Sequence, residues 1–200
     1  MREAPIVVLD VRPPEEFAAG HIPGALRFDI DDFSQHNSGL PHTLLPPEIF
    51  QEKVRALGIR QNSIILIYDA IGIYSAPRAW WNFKLMGHQN VLVLDGGLHA
   101  WVQAGGEIEP HCKIANHTGD FLARPVQTSV VSVEQMLAAL EDPNVRILDV
   151  RSAGRFRGLE TEPRPGVKSG HIPSSINIPF PSLLNGFYLK QPNELQEIFA

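Results

Sequence analysis

One motif occurs twice in this chain and constrains everything else about it. Leu9-Asp10-Val11-Arg12 is followed by Gly20-His21-Ile22-Pro23, and Leu148-Asp149-Val150-Arg151 by Gly170-His171-Ile172-Pro173. Copies so far apart point to duplicated domains, because solenoid repeats recur at shorter periods. In each copy a short apolar run, residues 6–9 and 145–148, ends in the Asp. Such a run fits a strand buried in a parallel sheet. Pro23 and Pro173 push the preceding Ile into extended backbone, and Gly20 and Gly170 allow a tight approach before it. The copies differ in spacing. Asp10 to His21 is 11 positions and Asp149 to His171 is 22, so the second copy carries an insertion of 11 residues.

Between the copies, strand and helix signals alternate. Residues 28–32 read as a short helical turn. Phe50, Val54 and Leu57 then recur at helical spacing, with Gly58 placed to end that helix. Residues 63–68 read as a buried strand, followed by a helix with Ser75 as its cap and Pro77 in its first turn. Ala76, Trp80 and Phe83 form the inner face of that helix. Residues 91–94 read as a strand and 98–103 as a short helix. This order predicts an α/β fold of two tandem domains, each a mainly parallel sheet flanked by helices. The first spans residues 1–106. Periodicity is then lost, and residues 107–128 read as a linker.

The second domain, residues 129–200, opens with Ser132-Val133-Glu134-Gln135, a capping box on a helix expected to bury Val133, Met136 and Leu140. A helix over 193–199 comes last. The buried strand and loop that follow this point in the first copy have no counterpart by Ala200, so the second domain is expected to be incomplete.

The doubled motif resembles the two-domain rhodanese family of thiosulfate and 3-mercaptopyruvate sulfurtransferases. Tyr68-Asp69, Ser75-Ala76-Pro77-Arg78-Ala79-Trp80-Trp81 and Leu94-Asp95-Gly96-Gly97-Leu98 support the resemblance in the first half. Arg155-Phe156-Arg157-Gly158 and Glu162-Pro163-Arg164 do so in the second. The resemblance implies transfer of a sulfane sulfur from 3-mercaptopyruvate or thiosulfate to a thiol or cyanide, by way of a cysteine persulfide. The cysteine opens a loop whose backbone N–H groups point inward, an anion cradle that favours thiolate over thiol.

The family's cysteine position in the first copy is Asp69, at the head of the loop 69–74. A carboxylate cannot form a persulfide, so the first domain is expected to be inactive, with Asp69 closing the loop. Nothing resembling the family's Cys-Gly-Ser-Gly-Val-Thr-Ala pattern lies before Ala200. Cys112, the one cysteine, stands in the linker beside His111, and adjacent residues rarely aim their side chains at each other. No catalytic residue is therefore assigned, and these 200 residues alone are expected to be inactive. The resemblance does assign two substrate-binding arginines, Arg155 and Arg164. Guanidinium forks suit a carboxylate or thiosulfate because they bind it bidentately and stay charged. His21 and His171, present in both copies, are expected to be structural, and Trp80, Trp81 and Trp101 to pack.

Composition closes off other classes. The net charge of −5 leaves no electrostatic footprint for nucleic acid or an anionic membrane. No apolar run approaches the ~20 residues that span a bilayer. A single cysteine excludes an intramolecular disulfide framework, argues against structural zinc and suggests a reducing cytoplasm. Neither metal nor organic cofactor is implied. The expected partners are a small anionic sulfur donor and a thiol acceptor, such as a thioredoxin-like protein. Two alternatives stand: a non-catalytic rhodanese-like module that binds anions or a partner, and a fragment of an active enzyme of ordinary length.

Overall fold

The computed structural model describes residues 4–36, 42–111, 117–126, 130–164 and 166–200. They fall into two compact units, Met1–Ser129 and Val130–Ala200. In the first, β1 (Ile6–Asp10) is followed by α1 (Pro14–Ala19), β2 (Leu26–Arg27), β3 (Ser34–Gln35), β4 (Thr43–Leu44) and α2 (Pro47–Ala56). Then come β5 (Ile64–Tyr68), α3 (Ala76–Leu85), β6 (Val91–Val93) and α4 (Gly97–Gln103). Four strands form one parallel sheet in the order β2-β1-β5-β6, and β3 and β4 make a small antiparallel pair.

Successive side chains on a strand point to opposite faces, and this sheet uses both. Leu9, Ile65 and Ile67 face a core that takes in Phe50 and Val54 of α2 and Ala76, Ala79 and Phe83 of α3. Val8 and Tyr68 face a smaller cluster with Ile22, Ala25, Leu98 and Trp101. The larger core is aromatic. Phe28 stacks on Phe33 with ring centroids 3.9 Å apart, and Phe50 meets Phe83 edge-on at 5.4 Å. Each such ring contributes about 1.5–3 kcal/mol when fully buried.

The stretch expected to link the domains is bound along the first unit wherever it is described. Glu109 pairs with His21 through two backbone hydrogen bonds, 2.8 and 3.0 Å. Gly119 N–H donates to Arg55 O, Phe121 N–H to Ile59 O and Arg124 N–H to Met86 O. Phe121 is fully buried in the aromatic core. A Cβ at Gly119 would stand 1.8 Å from Ile59 O, so only glycine lets this strap lie so close to the chain after α2.

The second unit holds α5 (Val133–Leu140), β7 (Leu148–Asp149), α6 (Ala153–Phe156), β8 (Ile176–Asn177), a 3-10 turn (Phe180–Leu183), β9 (Leu184–Asn185), β10 (Tyr188–Leu189) and α7 (Pro192–Phe199). β7 and β8 pair in parallel, and β9 and β10 form an antiparallel hairpin. Among its described residues no hydrophobic side chain is fully buried. Two expectations are corrected here. The capping box on α5 is present, but Val133 is 71% exposed and Met136 and Leu140 are only half-buried. Residues 145–147 lie outside β7, which is an edge strand with a single neighbour. In both places no layer among the described residues covers these apolar side chains.

The duplication itself is reproduced atom by atom. Arg12 Nε donates to both carboxylate oxygens of Asp10 at 3.0 and 3.1 Å, and Nη2 donates to Gly20 O at 2.7 Å. Arg151 makes the same bonds to Asp149 and Gly170 O, with the same distances. His21 stacks on Phe17 at 3.8 Å and its Nδ1–H donates to Phe17 O; His171 stacks on Phe156 at 3.8 Å and donates to Phe156 O. A carbonyl only accepts, which places the proton on Nδ1 in both rings. In both copies the ring thus ties the Gly-His-Ile-Pro turn to the preceding helix through Nδ1.

Candidate functional site

In the first unit the loop after β5 is built around Asp69. Its Oδ1 accepts from the backbone N–H of Ile71 and Gly72 at 3.0 and 2.6 Å. Its Oδ2 accepts from Tyr74, Ser75 and Ala76 at 2.8, 2.8 and 2.9 Å. Five donors, three of them at the N-terminal end of α3, converge on one carboxylate that is 1% exposed. This is an anion cradle holding its own side chain as the anion. Ser75 stands at the expected cap position of α3 but makes no side-chain capping bond, since Pro77 has no N–H and Arg78 N–H donates to the Ser75 carbonyl at 3.0 Å. Gly97, at φ 56°, lets α4 begin against this loop: a Cβ there would stand 2.4 Å from Asp69 O.

A cavity of about 670 Å³ opens beside the loop, lined among others by Arg12, Arg27, Asp31, His42, Ile71 and Tyr74. His42 Nδ1 stands 3.3 Å from Asp31 Oδ1, and the backbone carbonyl of His42 accepts from Arg78, whose guanidinium lies 5.0 Å from the ring of Trp81. The His42–Asp31 pair is titratable and faces an open cavity, yet the sequence reading passed over it. Both residues lie in or beside a Gly/Pro-rich stretch without periodicity, and only the fold brings them together. Behind Arg12, Tyr68 donates its hydroxyl to Asp10 Oδ2 at 2.6 Å. Burial, and then that hydrogen bond to Asp10, push the Tyr68 phenol well above its ordinary value.

In the second unit the inserted segment folds back on the repeated motif through Glu162. Its Oε1 accepts from Arg151 Nη1 at 2.8 Å, and its Oε2 accepts from Arg155 Nη2 at 2.5 Å. Arg155 Nε adds two bonds of 3.2 Å. The Glu162 side chain is 4% exposed, against 31% for Arg155. The hydrogen bond from Arg155, with Arg151 behind it, lowers the Glu162 carboxyl, and the same contact raises the Arg155 guanidinium. The hydrogen bonds from Arg151 likewise lower Asp149. Asp149, Arg151, Glu162 and Arg155 therefore form a charge-balanced chain. Glu162 engages Nε and Nη2 of Arg155 and leaves Nη1 without a partner among the described residues. The Arg164 side chain has no hydrogen bond or ion pair with the described residues, and its backbone carbonyl accepts from Val167 N–H at 3.5 Å. Cys112 lies outside the described residues, and no group of His, Cys, Asp and Glu suited to a metal ion occurs within them. No helix among them is long and apolar enough to cross a membrane.

Comparison with known proteins bears on both units. The family model described as "Rhodanese-like domain" matches residues 1–104 and 132–199. The chain is 40% identical over 185 residues to the 3-mercaptopyruvate sulfurtransferase of Escherichia coli K12, covering 92% of this chain and 66% of that protein. It is 34% identical over 223 residues to the mitochondrial thiosulfate/3-mercaptopyruvate sulfurtransferase 1 of Arabidopsis thaliana, covering 97% of this chain and 59% of that one. Among solved structures, a 3-mercaptopyruvate sulfotransferase from Escherichia coli, whose study describes the "Rhodanese" fold, aligns with a TM-score of 0.87 at 35% identity. That alignment covers 97% of this chain and 76% of the other. The chain thus spans about two thirds or less of the length of these two curated relatives.

Proposed function

The chain belongs to the rhodanese family, and from that premise we propose that its second unit supplies the donor-binding half of a sulfurtransferase centre. The donor is 3-mercaptopyruvate or thiosulfate, and Arg155 and Arg164 engage its anionic group. The observation that carries this reading is the Arg151–Glu162–Arg155 chain. The insertion is what distinguishes the second copy from the first, and Glu162 ties it to the repeated Arg151 while presenting Arg155. A guanidinium held at Nε and Nη2 has little freedom left to lose when Nη1 meets a carboxylate, which lowers the entropic cost of binding. The names of the relatives agree with such donors. The first unit serves as a non-catalytic companion, because Asp69 satisfies the cradle that a thiolate would need.

A titration of the 200-residue chain with thiosulfate and with 3-mercaptopyruvate, followed by the side-chain N–H signals of its arginines, tests the assignment. Arg155 and Arg164 signals should move together, and Arg155→Ala should weaken binding about 10-fold, equivalent to ~1.4 kcal/mol. Binding unchanged in both Arg155→Ala and Arg164→Ala would overturn it. A second reading, an anion-binding module that never turns over, is favoured by the self-occupied Asp69 loop. The two readings part on whether donor sulfur is transferred once a nucleophile-bearing polypeptide is present.

A further inference from the structure

The second unit carries the chain's one Asn-Gly sequence, Asn185-Gly186, and places it at the tip of the β9–β10 hairpin. Asn185 pairs with Tyr188 and Leu184 with Leu189, so Gly186 and Phe187 form a two-residue loop. Gly186 takes the first loop position with φ 64°, the place a II′ turn reserves for glycine. The space around it is open, for a Cβ there would meet nothing within 4 Å. Both residues are exposed, and the Asn185 side chain has no hydrogen bond among the described residues. Asn177 differs on each count. It is followed by Ile178 and half-buried, and its Nδ2 donates to Asp149 O at 2.9 Å and to Arg151 O at 3.0 Å.

We propose that Asn185 is a site of spontaneous modification, converting to aspartate and isoaspartate through its own backbone. The Gly186 amide nitrogen gives up its proton and attacks Asn185 Cγ. The new C–N bond closes a cyclic imide, and the side-chain nitrogen leaves as ammonia. Water then opens either imide carbonyl, so the net change is an amide hydrolysed to a carboxylate, with no electron transferred. Glycine makes the step accessible because no Cβ shields its nitrogen. Extended backbone at Asn185 holds that nitrogen away from Cγ, so the ring closes when the hairpin opens. Opening costs little here. β9 and β10 share two residue pairs and have no further strand beside them among the described residues, and Tyr188 and Leu189 are 43 and 39% exposed. A hairpin with no third strand is marginal in water. Isoaspartate adds a carbon to the main chain, which shifts the residues after it out of register with β9. The bond from Lys190 N–H to Leu183 O, 2.9 Å, is then lost, and with it the tie between the hairpin and the 3-10 turn. The aspartate product keeps the register and adds only a charge.

The test ages the full 200-residue chain at mildly acidic and mildly alkaline pH and follows the tryptic peptide 169–190, which holds Asn177 and Asn185 together. The mass gain of amide-to-acid conversion should appear at Asn185, with Asn177 unchanged as the internal control. It should quicken as pH rises, because the attacking nitrogen must lose a proton. Conversion should run within about 100-fold of its rate in the urea-unfolded chain, the lag set by how seldom the hairpin opens. Asn185→Gln should abolish it, since the longer side chain would have to close a larger ring. In the isoaspartate form the Lys190 amide should exchange at least about 10-fold faster, whereas Asn185→Asp should leave it unchanged. Equal conversion at both asparagines, a lag beyond about 100-fold or a rate indifferent to pH would each overturn the site. A Lys190 amide still protected in the isoaspartate form, or loosened equally by Asn185→Asp, would overturn its effect on the hairpin.

Discussion

Asp69 decides what the first unit can do. A thiolate in its place would keep one face open to a sulfur donor, whereas the carboxylate reaches all five amides itself and closes the cradle. The loop is thereby tied to its own side chain. Hydrogen bonds to a charged acceptor contribute more than neutral ones, and a buried donor left without an acceptor costs about 1–3 kcal/mol. Asp69→Ala strands several such donors, some of which water can reach, so a loss of about 2–4 kcal/mol in first-unit stability is expected. Urea unfolding followed by tryptophan fluorescence measures it, and a change below about 0.5 kcal/mol would show that the cradle does not depend on the carboxylate. Burial sets a similar contrast between the copies. The Asp10–Arg12 pair is nearly inaccessible, while Arg151 in the equivalent pair is 27% exposed. The same bonds therefore matter less in the second unit, where water screens them.

At the scale of elements, the strap carrying Phe121 is the clearest case of structure that the sequence hid. Its ring lies 5.9 Å from Phe50, 6.1 Å from Phe83 and 5.7 Å from His88, closing one end of the aromatic core. Phe121→Ala should cost about 3–5 kcal/mol, read by the same urea transition, because the cavity opens inside a packed layer. A loss under 1 kcal/mol, on the order of an exposed substitution, would mean the strap is only loosely attached. Around it, β1, β5, β6 and the helices α2 to α4 were legible, since each has an apolar period long enough to mark its inner face. Phe121 is followed by Leu122 and Ala123 alone before Arg124, and so short an apolar run between Asp120 and Arg124 shows no period. Ser75 stands at the N-cap of α3 as its place in the sequence implies, but the acceptor for the amides of Tyr74, Ser75 and Ala76 is Asp69, six positions upstream of the cap. In the second unit the amphipathic pattern of α5 was read correctly, but no layer lies against its apolar side. Of the candidate site, Arg155 and Arg164 were nameable by resemblance alone. Glu162, which shapes the cluster, has no signal in the sequence beyond its place in the Glu162-Pro163-Arg164 motif.

For the whole molecule, the account describes two copies of one plan with opposite deficits. The first has its sheet, both clusters and a loop closed on the Asp69 carboxylate. The second has the inserted arginines, but only a two-stranded sheet and no fully buried apolar side chain among its described residues. Neither copy holds a cysteine among its described residues. The central claim is that this chain binds a sulfur donor without taking its sulfur. Intact-mass measurement after incubation with 3-mercaptopyruvate, with pyruvate release followed in parallel, tests that claim most directly. The account predicts an unchanged mass and no pyruvate; a mass gain of one sulfur atom, lost in Cys112→Ser and matched by pyruvate, would contradict it.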